Sequence, residues 1–218
     1  RHSFPTRRSS DLSAAMPHHP DSAPAFALFD DNLDASSAGA WLLTGLVEEI
    51  RCTDPDAWPA ALARLEKAAK DGAWVALAAR YELGYAIEPR LRPLLPAGDE
   101  ALVTGWIFAH GEWLSDAAVD AWLAKMAGDA PGGVGTLAPG ITEADYLART
   151  ERIRDYIAVG DCYQVNFTFP LTGPAFGQPA ALYRALRAAQ PVRYGAFIAH
   201  TDDAILSRSP ELFLERHG

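Results

Sequence analysis

Two short stretches carry side chains that could do chemistry. Gly160-Asp161-Cys162-Tyr163-Gln164-Val165-Asn166 presents an amide pair, Gln164 and Asn166, and Ser209-Pro210-Glu211 sets a carboxyl behind a proline. Amides both donate and accept, so Gln164 and Asn166 suit recognition of a ligand's carboxylate and hydroxyl groups. The same pair would serve equally as a polar ladder on a half-buried sheet face. A carboxyl works as a general acid or base near neutral pH where burial raises its pKa. Taken alone, Glu211 reads as a solvated turn residue, with Ser209 either beginning the turn or orienting the carboxyl.

The elements around these stretches follow from hydrophobic period. Thr142 can cap a helix whose third position is Asp145 and whose stripe is Tyr146, Leu147, Thr150, Ile153 and Ile157; Gly160 closes it. Tyr163, Val165, Phe167 and Phe169 then alternate with Cys162, Gln164, Asn166 and Thr168, which predicts a strand with the amides on its polar face. A helix opened by Pro179 and striped by Leu182, Tyr183 and Leu186 leads through Pro191 to a strand from Tyr194 to Ala199. A turn at Thr201, Asp202 and Asp203 returns the chain as a hairpin over Ala204 to Ser207, and Leu212 to Leu214 resumes an extended pattern past Pro210.

The amino-terminal half reads as strand-rich. Strands are expected at Phe26 to Phe29, Trp41 to Arg51, Trp74 to Tyr81 and Ala101 to Ala109. One helix is expected from Pro55 to Lys70, striped by Leu62 and Leu65, and another from Ser115 through Val119, Trp122, Leu123 and Met126. Residues 1–24 read as a non-native or disordered leader, and 129–140 as a Gly/Pro linker that separates 25–128 from 141–218. The string Gly132-Gly133-Val134-Gly135 lacks the strand-to-helix setting and the Lys-Ser/Thr of a phosphate loop.

Charge and composition exclude several classes. With 19 basic and 28 acidic residues the net charge is −9, which argues against nucleic acid or an anionic membrane as partner, since both need clustered Lys and Arg. Cys52 and Cys162 are too few for a disulfide framework and lack the histidine pairs of a zinc site, so a reducing cytoplasm fits. The histidines show no HExxH spacing, and no metal site is expected from these residues. No apolar run is long enough for a spanning helix, so a soluble protein is expected.

Several stretches, in order and spacing, resemble the chorismate-utilising enzymes. They are Tyr156-Ile157, Gly160 to Asn166, Leu182-Tyr183 with Leu186-Arg187, Tyr194 to Phe197, Ile205-Leu206-Ser207, and Ser209-Pro210-Glu211-Leu212-Phe213. Within that family, Asn166 after Gln164-Val165, together with Phe26 to Asp31, Trp74 and Tyr81-Glu82-Leu83-Gly84-Tyr85-Ala86, resembles the aminodeoxychorismate synthase component I branch. The resemblance implies an α+β fold of antiparallel sheets with flanking helices, present here as an incomplete anthranilate synthase component I-like fold, with 25–128 as the amino-terminal region of component I and 141–218 as the start of the chorismate-binding catalytic domain. It implies that Glu211 serves as acid or base near the departing C4 hydroxyl of chorismate, with Gln164, Asn166 and Ser209 binding substrate. The family's nucleophilic lysine, in a Pro-Ile-Lys-Gly-Thr stretch, has no counterpart among Lys67, Lys70 and Lys125. The chain is therefore expected to be a fragment truncated before that lysine and before the glutamates that hold Mg2+.

The implied partners are chorismate, a glutamine amidotransferase subunit supplying ammonia, and a possible fused aminodeoxychorismate lyase domain, on a route to para-aminobenzoate and folate. The family also has an aromatic amino-acid pocket, whose counterparts here are Asp30, Asp31 and Tyr194. An aspartate stands where the family has serine, and the Pro191-Val192-Arg193-Tyr194 spacing is wider than the family's, so effector binding is a separate expectation. Two rival readings are an anthranilate or isochorismate synthase, and a non-catalytic module that binds an aromatic amino acid or the glutaminase.

Overall fold

The computed structural model describes residues 25–34, 36, 38–200 and 203–215. Strand β1 (Phe26–Asp31) alternates cleanly: Phe26, Leu28 and Asp30 face one side, and Ala27, Phe29 and Asp31 the other. It is followed by β2 (Gly39–Cys52), helix α1 (Trp58–Lys70), β3 (Trp74–Ala79), a short α2 (Leu83–Ile87), β4 (Val103–Ser115) and α3 (Asp116–Ala127). Then come two-residue strands β5 (Gly133–Val134) and β6 (Ala138–Pro139), α4 (Glu143–Ala158), β7 (Leu171–Thr172), β8 (Ala175–Phe176), α5 (Pro179–Ala189), β9 (Tyr194–His200) and β10 (Asp203–Ser209).

The expected α+β class is what the fold shows. Six strands form one antiparallel sheet in the order β10-β9-β1-β2-β4-β3. The strands of 141–218 therefore do not form a sheet of their own; β9 pairs directly with β1, and β10 closes that edge. Periodicity reports which residues share a face, not which strands pair, so this merger was not legible in the sequence.

Helices α3 and α5 cover the face that carries Phe26 and Leu28, burying Val119, Leu123, Ala180, Tyr183 and Phe197 with them. Each such large apolar side chain contributes about 1.5–3 kcal/mol on burial. The opposite face buries Ala27, Leu43, Ala76, Trp106, Phe108 and Ile198, while Trp41 and Trp113 stay partly exposed at 40% and 52%. Helix α1 packs at the far end, around Cys52, Ala61 and Val103. Cys52 and Cys162 are both free thiols, and burial raises the pKa of the Cys52 thiol.

Five expectations are corrected. The first helix begins at Trp58 with Pro59 in its first turn, because Asp54 accepts from the Asp56 amide at 2.8 Å and holds Pro55 in a turn. Strand β4 runs on to Ser115, since its ladder with β2 continues through Gly39↔Ser115 despite the polar residues His110 and Glu112. The presumed linker is partly ordered: β5 pairs with β8 and β6 with β7. Most important, residues 163–169 form no strand. Alternation supplies faces, but a strand also needs a ladder partner, and none among the described residues offers one. For the same reason Leu212 to Leu214 stays irregular and exposed.

Thr142 caps α4 as expected, accepting from the Asp145 amide at 3.1 Å, and Gly160 takes the left-handed φ of 83°. Yet α4 buries no residue; Tyr146 stacks on Phe167 at 5.7 Å while Leu147 stays exposed. The leader 1–24 and the turn residues Thr201 and Asp202 lie outside the described residues.

Candidate functional site

The Ser209-Pro210-Glu211 turn leaves the sheet at the end of β10, where Ser209 is paired with Tyr194 on β9. Directly paired residues point the same way, so Ser209 and Tyr194 share the face opposite the helices; alternation puts Asp31 there too. Ser209 Oγ donates to the Glu211 carbonyl at 3.0 Å and accepts from the Glu211 amide at 3.3 Å. The turn is thus stapled by its own serine, but the Glu211 side chain is exposed.

Gln164 and Asn166 are also exposed, and their side chains meet at a long 3.4 Å. Among the described residues, neither sheet pairing nor a side-chain hydrogen bond joins them to Ser209 or Glu211. Asp31 accepts from the Leu33 amide at 3.1 Å and lies 3.6 Å from Arg193.

Asp30 behaves differently. It points to the helix face, is 2% exposed, and sits in a buried ionic cluster. Arg187 on α5 donates to its carboxylate at 3.0 Å, Arg208 on β10 at 2.8 Å and the Tyr183 hydroxyl at 3.1 Å. Arg187 continues to Asp120 at 2.7 Å and to Asp116, both on α3. Every carboxylate oxygen of Asp30 is engaged within the protein, and Asp31 faces away, so one ligand pocket does not take both aspartates.

Register explains how Arg208 reaches Asp30. Asp30, Gly195 and Arg208 form one row across β1, β9 and β10. The guanidinium must cross the middle strand, roughly 10 Å or two strand spacings, and Gly195 leaves the room. A Cβ there would stand 2.8 Å from the Tyr183 hydroxyl and 2.9 Å from the Asp30 carbonyl oxygen, and closer still to Arg208. Gly195→Ala is therefore expected to destabilise the chain by about 1–3 kcal/mol, because backbone and an anchored side chain both have to shift. Urea unfolding checks this, and an unchanged midpoint would show that the row is slack.

Tyr183 lies stacked on Phe197 with ring centroids 5.1 Å apart, under Arg208. Burial first, and then the charge of Asp30, push the phenol well above its ordinary value, with Arg208 opposing. A raised folded pKa means the native state holds this proton more tightly, so its stabilisation is complete below the ordinary phenol pKa of about 10 and is lost as pH climbs beyond it. Absorbance at 295 nm should show one tyrosine ionising only as the chain unfolds in alkali, and Tyr183→Phe should remove that late step. For Arg187, burial works against the cation, but its bonds to Asp116 and Asp30 outweigh burial and the pKa is raised.

The sequence suggested no ionic role for Tyr183, Arg187 or Arg208, although signals existed. Tyr183 and Arg187 are one turn apart on α5, as Asp116 and Asp120 are on α3, and Arg208 alternates in phase with Leu206. A cavity of about 540 Å³, lined by Glu49, Arg51, Thr104, Trp106, Ile198 and His200 among others, opens at the other end of β9 and includes none of the expected site residues. Among the described residues, no group of three or more His, Cys, Asp or Glu could hold a metal ion. No described helix is long and apolar enough to cross a membrane.

The sequence that builds this α+β sheet and its Ser-Pro-Glu turn matches a known family. A model of chorismate binding enzymes covers residues 33–218, and the chain belongs to that family. It is 33% identical over 96 residues to anthranilate synthase component 1 of Thermus thermophilus, 44% of this chain and 21% of that protein. It is also 33% identical over 88 residues to aminodeoxychorismate synthase component 1 of Bacillus subtilis, 40% of this chain and 19% of that protein. The matches therefore span about a fifth of the length of these relatives.

Proposed function

We propose that this chain contributes to an enzyme of the aminodeoxychorismate synthase branch, which replaces the C4 hydroxyl of chorismate with an amino group. The observation that carries the reading is the family match over 33–218, which contains both the Gly160 to Asn166 stretch and the Ser209-Pro210-Glu211 turn. Asn166 and the Tyr81-Glu82-Leu83-Gly84 stretch favour this branch over the anthranilate branch, whose members match at 33% to 36% identity against 33% for this one.

In this reading Glu211 protonates the departing hydroxyl and later takes up a proton from the incoming amine. Gln164, Asn166 and Ser209 hold the substrate's carboxylates and hydroxyl. A lysine outside this chain attacks the ring, and ammonia comes from a glutaminase partner. Magnesium, whose ligands the resemblance places downstream, would neutralise substrate carboxylate; among the described residues no group of three or more His, Cys, Asp or Glu could hold it. Both the acid–base role and the amide contacts need a cover over the exposed Glu211 and the unpaired 163–169 segment. The cytoplasm, which supplies chorismate and ammonia together, is the proposed compartment, and a fused lyase domain remains part of the proposal for the full-length protein.

Product analysis tests the branch. A full-length protein carrying this chain, given chorismate and ammonium with magnesium, should yield 4-amino-4-deoxychorismate. Anthranilate as the product would move the chain to the rival branch, and isochorismate would remove amination altogether.

A further inference from the structure

Arg208 immediately precedes the Ser-Pro-Glu turn, and its side chain is 5% exposed. Its guanidinium donates to Asp30 at 2.8 Å, to the Tyr183 hydroxyl at 3.0 Å, to the Gln190 carbonyl at 3.1 Å and to Asn32. Asn32 is itself fixed, accepting from the Val192 amide at 3.0 Å and donating to the Arg187 carbonyl at 3.1 Å. One residue thereby ties the end of β10 to β1, to α5 and to the strand-entry loop before β9.

The tie lies where the backbone stops being held by the sheet. Ser209 is the last residue paired with β9. Beyond it, Pro210 has a fixed φ and the Ser209 hydroxyl brackets the Glu211 amide and carbonyl, so few free torsions separate the anchored Arg208 from the Glu211 carboxyl. A surface arginine would not need such a seat. Burying a guanidinium is expensive unless its donors are satisfied, and here the fork is shared between a buried carboxylate and three neutral oxygens.

We propose that Arg208 is a positioning residue: by locking the end of β10 to Asp30, Asn32, Tyr183 and Gln190, it sets where the turn leaves the sheet and hence where Glu211 stands over the substrate. This rests on the acid–base reading of Glu211. Misplacing a catalytic group by about 1 Å costs on the order of a hundredfold in rate.

The test is a double-mutant cycle in the full-length protein, reading kcat and KM for chorismate with Arg208→Leu, Glu211→Gln and both. Arg208→Leu should lower kcat about 10–100-fold with little change in KM, and should add nothing once Glu211 is already Gln. Arg208→Lys keeps a cation beside Asp30 but cannot fork to Asn32 and Gln190 together; it should fall between wild type and Leu, and it serves if the Leu variant does not fold. An equal loss from the Arg208 change in both backgrounds would show a merely structural role and overturn the inference alone. Full activity of Glu211→Gln by itself would instead overturn the acid–base reading, and this inference with it. In the 218-residue chain, amide relaxation of Ser209 and Glu211 should report a looser turn in Arg208→Leu while β1 and β9 stay rigid. An unchanged turn would also overturn it.

Discussion

Asp30→Ala is expected to destabilise the chain by about 3–5 kcal/mol, the loss typical of removing one partner from a buried ion cluster. Two guanidiniums share that carboxylate, and their side chains are only 8% and 5% exposed. Arg187 would keep Asp116 and Asp120, both near the surface. Arg208 would keep only neutral oxygens, leaving a buried charge without a counter-ion. The penalty is that uncompensated charge rather than the net worth of the bridges, so a well-packed apolar replacement of the whole cluster would be much milder. Asp31→Ala is the control. It is partly exposed and pairs loosely with Arg193, and should lose no more than about 1 kcal/mol. Chemical denaturation of the two variants reads the difference; similar losses from both would show that the cluster does not hold α5 and β10 to β1.

The same pair of aspartates shows what the sequence could and could not convey. Neighbouring acids in an apolar strand alternate between faces, so their separation was available from period two alone. That Asp30 lands among arginines was not, because Arg187 and Arg208 lie far along the chain and their meeting depends on β9 inserting between β1 and β10. Local signals performed well where the cause was local: the Thr142 cap, the Gly160 stop and the Pro179 helix start all lie within one turn of the residues that specify them. They misled where an element needs a distant partner. Residues 163–169 have the alternation of a strand and no ladder, so Gln164 and Asn166 are displayed to solvent rather than ranked on a sheet face. For the site, the residues read alone point to Glu211 as a turn residue, and the geometry of the turn agrees; the acid–base role proposed for it rests on the family match and on no contact in the turn.

Glu211→Gln in the full-length protein should lower kcat by about a hundred- to ten-thousandfold, the range for losing a positioned general acid. The substitution is nearly isosteric, and the turn's own hydrogen bonds use the Glu211 backbone rather than its carboxyl. Folding should therefore be unaffected, within about 0.5 kcal/mol as for other exposed sites, and KM should move little, because an amide still fills the same space beside the substrate. What disappears is a proton that can be delivered to a leaving hydroxyl and recovered afterwards. Steady-state kinetics decides: a loss smaller than tenfold would assign the proton to another group and leave Glu211 as the solvated turn residue that its exposure in this chain also describes.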